Sequence, residues 1–398
     1  MSAEIQLNDK IYWIGVNDRQ TALFEELWPI PNGVAYNSYM ILDDKVAVID
    51  AVKDISMDRY LEKIRSLLAD RRKIDYLIIN HIEPDHSGGI KILREAFPDM
   101  EIVGNKKTLD LLTHFYGIKD NVRQVEDGEI LDLGTCRLKF FLTPMVHWPE
   151  TMMTYEETHK VLFSGDAFGG FGSLDDGIFD DELRDLQYHE AEMLRYFTNV
   201  IAKYSVMVQK AITKIKDLDI AMVASTHGPV WRSSPRHAIE LYDKWSRQEA
   251  EDGVVIVYAS MYGNTEKMME AISRSLTAEM TGPLRVHNVS RSHPSYILAD
   301  IWRYRAIVLG SPTYNMGLFP LMDHLLRLLE NKGLKDRIVG IFGSYGWSGG
   351  AIKELTDFAG RMKWQLTEPV IEVNCSPTDE DLNNCTRLGM NIVQRLRT

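Results

Sequence analysis

The segment His81-Ile82-Glu83-Pro84-Asp85-His86 places two imidazoles and two carboxylates in six positions, directly behind the apolar run IDYLII. In an extended segment, side chains at i, i+2 and i+4 share a side. That spacing predicts His81, Glu83 and Asp85 projecting together, with His86 aimed elsewhere. Pro84 has no N–H and cannot sit in a central strand, so the segment is expected to be an extended loop leaving a strand. Gly88 and Gly89 then let the backbone turn tightly into a helix. Residues of these types at these intervals are candidate metal ligands, and a plain solvated loop seldom concentrates four of them.

The same half of the chain holds further donors just past apolar runs. His147 follows RLKFFLTP, Asp166 follows KVLFSG, and His227 follows AMVAST and precedes Gly228-Pro229. Loops leaving one edge of a sheet can converge, so these residues join the first four as candidates. Four imidazoles and three carboxylates exceed one tetrahedral ion and suit two metals, with Asp166 bridging. The first metal would take His81, Glu83 and His147; the second would take Asp85, His86 and His227. His114, His159, His189 and His237 have no comparable setting and read as surface or packing residues.

A different chemistry is written after residue 253. The run VVIVYAS leads into Ser260-Met261-Tyr262-Gly263-Asn264-Thr265 and then a helical segment, which offers hydroxyls and backbone N–H groups to an anion. No G-K-[ST] follows, and there is no G-x-G-x-x-G, so neither a Walker A loop nor a Rossmann dinucleotide site is expected. Two more loops follow apolar runs: Ser311-Pro312-Thr313-Tyr314-Asn315 and Ser344-Tyr345-Gly346-Trp347-Ser348-Gly349. Small residues there admit a close ligand, and aromatics can flank a flat ring.

These residues need elements to hold them. The first half is rich in short strands, with helices at MDRYLEKIRSLLAD, IKILREAF, most of residues 187–216, and Pro235 to about Ala250. The second half has five short, nearly continuous apolar runs alternating with helical segments, the pattern of a parallel sheet covered on both faces. The boundary is expected where the polar run SRQEAED meets Gly253, giving domains 1–250 and 251–398. All three loops of the second half would then lie at carboxyl ends of strands, where open α/β sheets bind ligands.

Composition narrows the classes. The 398 residues carry a net charge of −12, which argues against non-specific nucleic-acid binding. The polar start MSAEIQLNDK has no apolar signal region, and no run is long enough to span a bilayer. Cys136, Cys375 and Cys385 are far apart with no CxxC, so neither a disulfide framework nor a rubredoxin-type site is expected. They read as buried apolar filler in a reducing cytoplasm.

The spacing H-x-E-x-D-H, with the later His, Asp and His behind strands, resembles the metallo-β-lactamase fold. Hydrolases of that superfamily usually show H-x-H-x-D-H, and here Glu83 replaces the middle histidine. The exchange adds a hard oxygen donor, which biases the site toward iron or manganese over zinc. The second half resembles flavodoxin, with FMN as its ligand. Together, over essentially the whole chain, they resemble the flavodiiron proteins. That resemblance implies a metallo-β-lactamase-like αββα sandwich followed by a flavodoxin-like doubly wound parallel sheet. It implies two irons bridged by Asp166 and a hydroxo or oxo group, and reduction of NO to N2O or of O2 to water.

It further implies electrons relayed through FMN from rubredoxin or a similar small carrier, and a cytoplasmic setting without nucleic-acid or membrane partners. Nothing in the sequence brings the two strand-end sites together within one chain. The family solves this with a head-to-tail homodimer, or a dimer of dimers, in which one subunit's flavin faces the other's irons. Tyr196 matches a position near the metals, where its hydroxyl would donate a hydrogen bond; a plain core tyrosine is the competing reading. Trp347 is expected beside the flavin ring, and His86 is the ligand that water could replace. Two other functions compete: a dizinc hydrolase with an appended flavodoxin, and a non-catalytic electron-carrier or gas-sensing module.

Overall fold

Strand and helix follow the two hydrophobic periods of the chain. In the helix Met57–Leu68, Met57, Tyr60, Leu61, Ile64 and Leu68 are buried, the i, i+3, i+4, i+7 stripe of an amphipathic helix. The helix Lys106–Tyr116 begins at Asn105, whose side chain accepts from Lys107 N and Thr108 N, and ends at Gly117 in the left-handed region. The computed structural model describes residues 5–69, 73–280 and 282–398; Asp70, the expected end of the first helix, lies outside them. The chain separates into two compact units, Met1–Ser246 and Arg247–Thr398.

The first unit holds two large sheets. One runs in the order Ile5–Gln6, Ile11–Trp13, Tyr39–Leu42, Val46–Ile49, Tyr76–Ile78, Glu101–Gly104, Val122–Gln124. The other runs Ile130–Asp132, Arg137–Leu142, Met152–Glu156, Val161–Gly165, Met222–Ser225. An apolar core joins them, with Ile41, Ile49, Ile78 and Val103 from the first and Leu138, Phe140, Phe163 and Ala224 from the second. Burying each of the isoleucine, valine, leucine and phenylalanine side chains contributes about 1.5–3 kcal/mol. The parallel pairs of the first sheet, Val46–Ile49 with Tyr76–Ile78 and Tyr76–Ile78 with Glu101–Gly104, are joined by helical crossovers. Those crossovers put successive strand ends on one edge.

The second unit is a five-stranded parallel sheet in the order Leu284–Asn288, Glu251–Tyr258, Tyr304–Pro312, Ile338–Tyr345, Gln365–Asn374. Numbered along the unit this is 2-1-3-4-5, a doubly wound order with its switch point between the first and third strands. Val254 to Val257 are fully buried, as a strand covered on both faces requires. Among the described residues, no helix is long and apolar enough to cross a membrane.

One local expectation changes. The chain is extended through Glu83, but Pro84–Ser87 forms a single helical turn with proline at its start. Proline's fixed φ suits the first helical position, where its missing N–H costs nothing. The sequence pattern marked Pro84 only as a strand breaker.

Candidate metal centre and cofactor cleft

Seven donors converge at one edge of the first unit. His81 lies just beyond Tyr76–Ile78, Asp85 and His86 lie on the Pro84–Ser87 turn, and Asp166 and His227 follow Val161–Gly165 and Met222–Ser225. His147 sits in the loop between Arg137–Leu142 and Met152–Glu156. The donors fall into two sets, His81, Glu83, His147 and Asp166, and Asp85, His86 and His227, each with its ligand atoms within 4.8 Å of one another.

Asp166 faces both sets with different oxygens. Its Oδ2 lies 3.6 Å from His81 Nε2 and 3.1 Å from His147 Nε2. Its Oδ1 lies 3.0 Å from His86 Nε2 and 3.7 Å from His227 Nε2. Glu83 Oε2 is 3.1 Å from His81 Nε2 and 3.0 Å from His147 Nε2. Asp85 Oδ2 is 3.1 Å from His86 Nε2 and 3.3 Å from His227 Nε2.

Apart from His81 Nε2 and Glu83 Oε2, which are within hydrogen-bond reach of each other, most of these atoms approach without satisfying one another. The Nε2 atoms of His86, His147 and His227, both Asp85 oxygens and Asp166 Oδ2 are buried with no hydrogen-bond partner. Buried polar atoms are normally paired, so a group of orphaned nitrogen and oxygen atoms aimed inward fits a pair of cations. The local field agrees. Burial opposes charge on His86, yet the Asp85 and Asp166 carboxylates push it up to about 10. His147, likewise against burial, is pushed up to about 9 by Asp166 and Glu83. Asp166 is held well below the usual carboxylate range by the imidazoles, again against burial. The cluster therefore calls for positive charge, which divalent ions supply.

The outer partners set which ring nitrogen faces inward. His81 Nδ1 lies 2.7 Å from Glu150 Oε1, and His227 Nδ1 lies 2.9 Å from the Ala35 carbonyl. With Nδ1–H donating outward, each Nε2 lone pair is left for a metal. Thr226 Oγ1 donates to Asp166 Oδ1 at 2.6 Å, and Asp50 Oδ1 accepts from Asn80 N and His81 N at 2.7 and 3.2 Å. Glu150, Thr226 and Asp50 were not singled out in the sequence. Asp50 directly follows the strand Val46–Ile49, so the strand-end rule that marked Asp166 reaches it; Glu150 carries no such signal.

Tyr196 is fully buried and its hydroxyl has no hydrogen-bond partner. Its ring centroid is 5.4 Å from that of His227 and 5.1 Å from that of Phe171. Burial first, and then the charge of Asp166, keeps the phenol protonated. The chain continues from Tyr196 into a π-helical turn, Phe197–Ile201, a form that recurs at functional sites.

In the second unit a cavity of about 310 Å³ opens at the carboxyl ends of the strands. Its lining takes Ser260, Met261, Tyr262, Asn264 and Thr265 from the first loop, Pro312, Thr313, Tyr314 and Asn315 from the second, and Ser344, Tyr345, Gly346 and Trp347 from the third. Gly263 stands behind it at φ +86, starting the helix Asn264–Glu279 without a side-chain cap, so the first N–H groups remain for an anion. Ser311 is fully buried and its Oγ accepts from Phe319 N at 3.3 Å, while Ser348 and Gly349 lead into the helix Ala351–Met362. Thr265 Oγ1 and Ser344 Oγ, 2.9 Å apart, tie the first and third loops together. Tyr262 and Trp347 are 89% and 87% exposed at the mouth, an unusual outlay of apolar area unless a flat ligand or a partner covers it. Cys375 also lines this cavity and is exposed, correcting its reading as buried filler, whereas Cys136 and Cys385 are buried.

Residues 34–228 match the family described as ODP family beta lactamase, and residues 256–389 match Flavodoxin. The chain is 32% identical to the nitric oxide reductase of Moorella thermoacetica, covering 100% of both chains. It is 34% identical to the anaerobic nitric oxide reductase flavorubredoxin of Citrobacter koseri, over 98% of this chain and 82% of that one. Among solved structures, rubredoxin oxygen:oxidoreductase from Desulfovibrio gigas superposes with a TM-score of 0.93 at 29% identity, covering 99% of each chain. The flavodiiron protein from Giardia intestinalis gives a TM-score of 0.94 at 27% identity, covering 100% of this chain and 97% of that one.

Proposed function

Because the chain belongs to the flavodiiron protein family, and is thus an oxidoreductase with a flavin and a diiron centre, we propose that it reduces NO to N2O, O2 to water, or both. The observation that carries this reading is Asp166 set between two donor groups, one of which contains Glu83. In this proposal His81, Glu83 and His147 hold one iron, Asp85, His86 and His227 hold the other, and Asp166 spans them. The iron pair would supply redox equivalents and gas-binding positions, and FMN would restore them. The two irons and reduced FMN together offer the four electrons that O2 needs to become two waters; coupling two NO needs two.

The protein's own groups have distinct tasks. Three carboxylates together with one hydroxide would roughly neutralise two divalent ions, which would favour a neutral gas over an anion. Glu150 and the Ala35 carbonyl keep the His81 and His227 rings in their binding tautomers. Tyr196, protonated and unpartnered, holds a hydroxyl proton beside His227, where it can donate toward a bound substrate. In the second unit, the N-terminus of Asn264–Glu279 and the hydroxyls of Ser260 and Thr265 would receive the FMN phosphate. Tyr262, Tyr314 and Trp347 would border its ring. A dizinc hydrolase reading leaves this cleft without a purpose and does not use Glu83.

We further propose that electrons come from rubredoxin or a similar small carrier, and that two chains pair head to tail so that each flavin serves the other's irons. The exposed Tyr262 and Trp347 beside the cleft give such a partner surface apolar anchors. The three free cysteines suit a reducing cytoplasm. The deciding experiment is anaerobic kinetics of the reduced protein with NO and with O2, beside iron and flavin analysis. Turnover of at least one gas, with two irons and one FMN per chain, is expected. Full activity in colourless, iron-free protein would overturn the reading.

A further inference from the structure

A second cluster of metal-type donors lies at the other end of the strand Val161–Gly165 from Asp166. Cys136 immediately precedes the strand Arg137–Leu142, Glu156 closes Met152–Glu156, and His159 sits in the turn that follows. The antiparallel register Leu138↔Glu156 brings the first two together. One ligand atom from each of Cys136, Glu156 and His159 lies within 4.8 Å of the others. Ligands ~2.0–2.3 Å from a tetrahedral zinc stand on the order of 3.5 Å apart, so side-chain adjustment alone closes the set.

The surroundings are arranged as metal sites are. Glu156 is fully buried, and its oxygens accept from Thr158 N at 2.8 Å and His159 N at 2.7 Å, which fixes the carboxylate. His159 Nδ1 is 2.9 Å from Glu156 Oε2, and its Nε2 is 2.9 Å from Asp9 Oδ1. As it stands Nδ1–H donates to Glu156; a cation would displace that proton and leave Nε2–H donating to Asp9, the carboxylate–histidine–metal relay. The His159 side chain is 21% exposed, which gives an ion a way in, whereas Cys136 is fully buried. Burial, and then the charges of Glu156 and Asp43, push the Cys136 thiol up to about 12. A divalent cation reverses that balance, because a coordinating thiol is deprotonated outright.

We propose that Cys136, Glu156 and His159 form a third metal site, for one zinc-like divalent cation, sharing no residue with the cluster around Asp166. A thiolate, a carboxylate and an imidazole neutralise such an ion and leave its fourth position to solvent from the His159 side. The competing reading is a turn capped by Glu156 and an ion pair through His159.

The test uses the full chain loaded with iron and FMN. After zinc addition and dialysis, metal analysis should find one zinc per chain. Zinc X-ray absorption should show a sulfur neighbour at about 2.3 Å, which no donor of the Asp166 cluster can provide. C136S should lose the sulfur neighbour while keeping its iron and flavin. H159A, on the partly exposed turn, should bind zinc at least about tenfold more weakly. Absence of retained zinc, zinc with only nitrogen and oxygen neighbours, a sulfur signal persisting in C136S, or unchanged affinity in H159A would each overturn the proposal.

Discussion

At the scale of single residues, the cluster depends on groups that never touch a metal. Glu150 bonds His81 through one oxygen, and its other oxygen is buried without a partner. Glu150→Gln keeps the shape but removes the charge, and removal of such outer partners typically weakens metal binding about 10- to 100-fold. Iron titration of the apoprotein should show that loss with FMN content unchanged; wild-type affinity would mean that Glu150 does not orient the ring. Thr265 is the counterpart in the second unit, buried and bonded to Ser344. Thr265→Leu removes a hydroxyl worth roughly 1.5–3 kcal/mol at a charged ligand, or about tenfold or more in affinity. FMN should be lost on gel filtration while both irons stay, and equal loss of both would refute the separation of the two sites.

Elements decide how firmly those residues are held. Asn105 caps Lys106–Tyr116 and also donates to the Glu150 carbonyl, so one side chain ties a helix start to the loop that carries His147 and Glu150. Asn105→Ala should cost about 1 kcal/mol from the cap, seen as a melting-temperature drop of roughly 2–4 °C. It should also weaken iron retention, and a stability loss without that effect would reduce Asn105 to a cap alone. At this scale the Pro84–Ser87 turn was the least legible feature, because a proline next to polar residues reads equally as a loop or as a helix start. The runs that became the three central strands of the second unit, Glu251–Tyr258, Tyr304–Pro312 and Ile338–Tyr345, were the most legible, because a strand buried on both faces leaves no polar alternation to confuse.

For the whole molecule, the proposed head-to-tail pairing makes activity a property of the dimer. Turnover per chain should fall as protein is diluted through the dissociation range measured by analytical ultracentrifugation, while iron and FMN contents hold. A strictly monomeric chain with undiminished turnover would rule the pairing out. Tyr262 and Trp347, the most exposed aromatics at the cleft mouth, are where such a contact would be mapped by loss of solvent accessibility.

The sequence alone settled the kinds of donor, their places past strand ends, the two-part plan and the acidic, cysteine-poor character. These are local properties, written in residue type and in periods of a few residues. Tertiary structure decided what required distant segments to meet. It brought Glu150 to His81 across 69 positions and Ala35 to His227 across 192. It gave Asp166 one oxygen for each donor set, and it left the Tyr196 hydroxyl buried beside His227 without a partner. A hydrogen bond is made or lost by differences of a few tenths of an ångström in separation, and no period along the chain carries that information; only the packing of two sheets around one core does.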